Sequence, residues 1–134
     1  MAARGQIVVW VLGAVLLTGC ASGGRPAATG QPGVQRVALT GAQSEAVSAG
    51  VRQMVASPDT AQLSAVTAIT RAGAPTVQVC GYVKTADASG KEGPDLPFYV
   101  ELLDVDGKPD AARGQLGDAP AERSKVKFMC RYNG

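Results

Sequence analysis

The chain reads as a small α+β protein, with one amphipathic helix packed on an antiparallel sheet of about four strands. Three observations predict this. A capped segment from Thr40 carries apolar residues at helical spacing, whereas the sequence after Pro58 breaks into short β-prone stretches separated by Gly, Pro and Asp. Before residue 39 no amphipathic period exists. The expected division is a leader over 1–19, a tether over 20–38 and a globular domain over 39–134.

The helix starts at Thr40-Gly41-Ala42-Gln43. Here the threonine hydroxyl is placed to accept from the third helical amide while Gln43 reaches back, a capping box. Val47, Val51, Met54 and Val55 then fall on one face. Gly50 weakens the helix by up to ~1 kcal/mol relative to alanine. Pro58 disfavours helical geometry in the residue before it, so the helix ends by Ser57. With Arg52 as its only cation, the helix is read as a core element rather than a membrane-surface one.

Four strands are expected, over 63–70, 76–84, 96–103 and 126–132. The intervals 85–95 and 104–124, rich in Gly, Pro, Asp and Lys, are expected to be loops. Phe98, Val100 and Leu102 alternate with Tyr99, Glu101 and Leu103. Val126, Phe128, Cys130 and Tyr132 alternate with Lys125, Lys127, Met129 and Arg131. The second strand is less regular, because Val77, Val79 and Val83 oppose Gln78, Cys80 and Tyr82. Either both its faces are covered, or a bulge at Gly81 resets the alternation.

The amino terminus is an export signal by its physical layout. Arg4 precedes the uncharged run Ile7–Leu17, and Thr18-Gly19 supplies small residues. Eleven residues are too few for the ~20 of a spanning helix. Leu17-Thr18-Gly19-Cys20 resembles the lipobox of bacterial lipoproteins. That resemblance implies cleavage before Cys20, a diacylglycerol on its thiol and acylation of the new amino terminus. Each buried methylene contributes about 0.8 kcal/mol, and several acyl chains hold a protein firmly where one does not. Residue 21 is Ala and not Asp, the usual inner-membrane retention signal of that class, so an outer membrane is favoured where the cell has two. The protein is then expected in the cell envelope, facing the periplasm or the exterior. The Gly- and Pro-rich segment after Cys20 is a flexible tether spanning roughly 20–25 Å.

Removing residues 1–19 from 134 leaves 115, enough for one modest core. The remaining charges are 12 basic against 11 acidic, with 4% aromatics over the whole chain, which predicts no nucleic-acid partner. There is no histidine. Ser44, Ser48, Ser57, Ser64, Ser89 and Ser124 therefore have no imidazole base, and a Ser-His-Asp site is excluded. Asp104-Val105-Asp106-Gly107-Lys108 lacks the later oxygen ligands and closing glutamate of a calcium loop, and is read as a tight turn. Glu101 and Asp104 point to opposite faces of one strand. No catalytic residue, metal ligand or cofactor is assigned.

Once Cys20 is set aside, Cys80 and Cys130 remain, an even number in an exported chain, and a disulfide between them is expected. The absence of Cys-x-x-Cys argues against a redox pair. The stretches 57–63 (Ser-Pro-Asp-Thr-Ala-Gln-Leu), 79–83 (Val-Cys-Gly-Tyr-Val) and 96–100 (Leu-Pro-Phe-Tyr-Val), with the late Cys130, resemble a group of small uncharacterised proteobacterial envelope proteins. Thr60, Leu63 and Lys84 depart from that group's Ser, Phe and Asn. The resemblance carries fold and disulfide, and implies no activity. The function expected is that of a lipid-anchored, non-enzymatic accessory or interaction module, held at the membrane by its lipid and meeting an envelope protein. The alternatives are a thiol-redox or hydrolytic envelope enzyme, and a small-ligand or cell-wall binding domain.

Overall fold

Residues 32–132 are described in a computed structural model, so the expected leader, Cys20 and most of the expected tether lie outside the described residues. The elements are β1 (Val34–Val37), α1 (Gly41–Met54), a 3-10 turn (Pro58–Thr60), β2 (Gln62–Arg71), β3 (Thr76–Lys84), β4 (Leu96–Val105), β5 (Lys108–Leu116) and α2 (Pro120–Cys130). The sheet is a five-stranded antiparallel meander in the order β1-β2-β3-β4-β5. The class is α+β, with five strands and two helices where about four and one were expected.

Local chemistry sets α1 as expected. The Gln43 amide donates to Thr40 Oγ1 at 3.2 Å, and the Thr40 amide donates to Gln43 Oε1 at 3.0 Å. Val47 and Val51 are fully buried against Ala68, Val79, Val83, Phe98, Val100 and Leu102. Burying a valine contributes about 1.5–3 kcal/mol, so this cluster is the main apolar core. Alternation along β3 and β4 then turns Cys80 and Tyr99 to the other face, where they pack with Val126 of α2. The sheet lies between the two helices.

Three expectations are corrected. Residues 126–132 do not form a strand, because Val126 ends up inside α2. The alternation of Val126, Phe128 and Cys130 suits a strand, but Val126, Met129 and Cys130 also fall at helical spacing. A short apolar run does not separate the two. Pro120 at the first turn and the helix-forming Ala121, Glu122, Arg123, Lys125 and Lys127 favour the helix. Phe128, expected on an inner face, is 63% exposed.

The interval 104–124 is not a loop either, since β5 occupies Lys108–Leu116. Its Pro, Asp, Gly and Ala residues are poor strand formers. The strand exists because Asp106 and Gly107, both at positive φ, make the two-residue hairpin turn that pairs Val105 with Lys108. Pro109 is tolerated at this sheet edge. The third correction concerns the end of the expected tether, where Val34–Val37 pairs with Ala68–Arg71 as β1.

Of the two readings offered for β3, coverage of both faces holds and a bulge at Gly81 does not, since β3 pairs with β4 without a register shift. The bulge lies opposite Gly81, in β2, where the register shifts between Ser64 and Thr67. Ala65 adopts φ 48° there. A Cβ on Gly81 would lie 2.8 Å from the Phe98 ring, which occupies that space and is itself fully buried.

Gly50 also has a packing role. A Cβ there would stand 2.7 Å from the Ala111 Cβ, so the missing side chain lets α1 cross β5 closely. Gly50→Ala gains up to ~1 kcal/mol of helix propensity but meets an overpacking cost of about 1–3 kcal/mol. The expected outcome is a net loss of about 1 kcal/mol, read as a lower urea midpoint at unchanged slope. A stabilised variant would show that α1 does not depend on this contact.

Candidate functional site

The two cysteines, placed by sequence on different strands, meet from a strand and a helix. Cys80 on β3 and Cys130 at the end of α2 are joined, with a Cα–Cα distance of 5.9 Å. Cys80 is 5% exposed and packs with Tyr99 and Val126. The bond therefore sits in the second, smaller core and fastens α2 to the sheet.

At its other end α2 is fastened by Arg123. Its Nε donates to the Gly117 carbonyl at 3.1 Å and its Nη2 to that of Asp118 at 3.1 Å. With 11 residues, α2 covers only part of its face of the sheet. Clefts remain on both sides, one of about 380 Å³ toward Arg113 and Gln115 of β5, another of about 300 Å³ beside the disulfide and Tyr82.

A third cleft, of about 330 Å³, opens at the C-terminal end of α2, lined by Arg71, Gln78, Tyr99, Phe128, Met129, Arg131 and Tyr132. Its side chains order one another. The Arg131 guanidinium carbon lies 4.2 Å from the Phe128 ring centroid and 4.6 Å from that of Tyr132. The Arg71 guanidinium carbon lies 5.1 Å from the Tyr132 centroid. Such stacking holds the cation over the ring while leaving the edge of the guanidinium plane for hydrogen bonds. Arg71 Nε donates to Gln78 Oε1 at 3.2 Å, and Gln78 also hydrogen-bonds Tyr99.

Burial pushes the Tyr99 phenol above its ordinary value of 10.0, reinforced by Glu101 and partly offset by Arg71 and Arg113. The hydroxyl therefore keeps its proton throughout the neutral range and remains a hydrogen-bond donor. Among the described residues the ion pairs are those of Lys84 with Glu92 and Asp95, at 3.5 and 3.9 Å, so neither Arg71 nor Arg131 is ion-paired there.

Other residues singled out from the sequence remain apart. Ser44 and Ser48 lie on α1, Ser64 on β2 and Ser124 on α2, while Asp106 belongs to the hairpin turn. No group of three metal-ligating side chains occurs among the described residues. Thr60 has a local role: its hydroxyl accepts from the Ala86 amide at 2.9 Å and ties the 3-10 turn to the loop before β4.

Sequence reasoning missed the arginine–aromatic cleft. Arg71 ends β2 one residue beyond the strand expected over 63–70, and Phe128, Arg131 and Tyr132 were expected on a strand. The cluster of Arg and Tyr near the C-terminus was its only signal.

Two outcomes are expected from these contacts. Replacing both Cys80 and Cys130 by Ser should remove about 4 kcal/mol of stability, the chain-entropy value for a bridge across 50 positions. Limited proteolysis should then cut first within 120–132. Uniform resistance would show that α2 holds without its bond.

The second concerns Asp87, whose Oδ1 accepts from Ser89 Oγ at 2.6 Å, the Ser89 amide at 2.9 Å and the Lys91 amide at 3.0 Å. These bonds, that of the Ser89 hydroxyl foremost, lower its pKa below the ordinary 3.8. Loop order is therefore fully present above that value and lost as pH falls through the lower folded one. Amide exchange at Ser89 and Lys91 should accelerate across this acid range, and Asp87→Ala should make it fast already at neutral pH. Unaltered exchange in the variant would dismiss this turn as the ordering element.

Comparison with known protein families, with characterised proteins and with solved structures yields no significant match to this chain.

Proposed function

We propose that this protein is a lipid-anchored lipoprotein of the bacterial envelope that acts as a non-enzymatic interaction module. The observation that carries this reading is Leu17-Thr18-Gly19-Cys20 at the end of an uncharged run, behind Arg4. Residues 1–19 are removed, Cys20 is acylated, and the Gly- and Pro-rich segment holds the domain away from the headgroups. Ala21 favours an outer membrane where there are two. The Cys80–Cys130 bond supports the same compartment, since such bonds persist in oxidising surroundings.

An interaction role suits the surface around α2. Phe128 stands 63% exposed beside Arg131, and aromatic residues and arginine are the types that anchor interfaces. The β5 edge is less suited to pairing with another chain, because Lys108, Pro109, Asp110 and Arg113 interrupt it with charge and a missing donor. A thiol-redox role has little support from a pair without Cys-x-x-Cys spacing, one of whose sulfurs belongs to a nearly buried residue. A specific observation favours small-ligand binding as the second reading: the ordered cleft around Arg71, Arg131 and Tyr132.

Intact mass of the membrane-extracted protein, before and after reduction and alkylation, tests the reading. The expected species is residues 20–134 plus acyl chains, taking up two alkyl groups only after reduction. A chain with an unmodified Cys20 would overturn the anchor. Alkylation of Cys80 and Cys130 without reduction would instead make a reactive thiol pair the function to pursue.

A further inference from the structure

The cleft at the end of α2 gathers two cations on one aromatic ring. Arg71 arrives from β2 and Arg131 from the end of α2, and both guanidiniums lie over Tyr132, at 5.1 and 4.6 Å from its centroid. Bringing like charges together costs electrostatic energy, and among the described residues no carboxylate lies within ion-pair distance of either guanidinium, Glu101 acting from β4, where it pairs with Gln78. Their positions are nevertheless fixed. Arg131 is stacked between Phe128 and Tyr132, and Arg71 is held through Nε by Gln78, itself bonded to Tyr99. Preorganised guanidiniums that form no ion pair among the described residues suit a planar, two-oxygen acceptor, which they bind through paired N–H groups.

The rest of the lining narrows the ligand. Phe128 and Met129 give an apolar wall beside the cations, and the Tyr99 hydroxyl and Gln78 carboxamide give neutral polar groups. A volume of about 330 Å³ is at the small end of ligand sites. An inorganic anion would use the cations and leave the apolar wall idle. A short peptide ending in a free carboxylate uses all of them.

We propose that this cleft captures the terminal carboxylate of a short peptide, with Arg71 and Arg131 holding the carboxylate and Phe128 covering the apolar side chain beside it. The proposal deepens the small-ligand reading of this cleft and rests on it, and it names the chemistry that this surface recognises.

The test uses the full chain in detergent with ¹⁵N-labelled arginine, titrated with N-acetyl-leucyl-alanine, with the C-terminal amide of that peptide, and with inorganic phosphate. The Nε–H signals of Arg71 and Arg131 should move saturably with the free acid, and the amide should bind at least about tenfold more weakly. Arg131→Gln, at the exposed end of α2, should weaken the acid by about tenfold or more with an unchanged melting curve, and Arg131→Lys should restore part of it. Equal affinity for acid and amide overturns the proposal, as does indifference to Arg131→Gln. Phosphate binding as tightly as the peptide also overturns it and points to a phosphate-bearing ligand. The mass measurement separates the two readings: an acylated Cys20 with no peptide response sinks only the ligand, and peptide binding with an unmodified Cys20 sinks only the anchor.

Discussion

The bond between Cys80 and Cys130 governs what the second face of this sheet can be. The helix it holds is short and buries little, with Val126 fully enclosed and Met129 and Cys130 partly so. Apolar contact on that scale contributes a few kcal/mol and must outweigh the entropy of ordering eleven residues, each costing about 1–2 kcal/mol of backbone freedom. A covalent tie at one end and the Arg123 contacts at the other shift the balance by restricting where α2 can go. The arginine–aromatic cleft inherits its geometry from this arrangement, because Phe128, Met129, Arg131 and Tyr132 all flank the bonded cysteine.

That bond depends in turn on the centre of the sheet. Cys80 faces α2 only because Val79 and Val83 face α1, and this alternation persists through Gly81, where any side chain would strike Phe98. The mismatch is absorbed in β2, whose extra residue around Ala65 and Val66 lies opposite Gly81 and leaves β3 regular. Thr67 then pairs with Cys80, and farther along the strand Arg71 reaches the cleft. Core packing on the α1 face and site geometry on the α2 face are thus coupled through one central strand.

The charge distribution has a comparable division. Lys84 is neutralised on the surface by Glu92 and Asp95, exposed pairs of the kind that contribute little to stability. Arg71 and Arg131 are ordered by rings and by an amide. A charge ordered without being neutralised remains available to a partner, and for a chain with a near-even overall balance this local arrangement says more than net charge does.

Much of the first core was legible in the sequence, because its signals are local. Thr40 and Gln43 form their capping box from four consecutive residues, Val47 and Val51 share a face by helical spacing, and Pro58 confines the helix. The β-branched runs of β2 to β4 are likewise set by near neighbours. Cys80 and Cys130 were paired by elimination, without their geometry. What escaped depends on contacts distant in sequence. β5 has the composition of a loop and is a strand because a two-residue turn and β4 supply its partners, and β1 is a strand because β2 does. The run 126–132 fits a strand and a helix equally by pattern, and packing of Val126 on Cys80 and Tyr99 decided for the helix. With that choice Phe128 turned outward and Arg131 came beside Arg71, sixty positions away. The sequence by itself determined the first helix and the cysteine pair, since each is written in adjacent residues or in a count. Only the tertiary structure decided the candidate site, since a cleft built from four elements exists only once all four are packed.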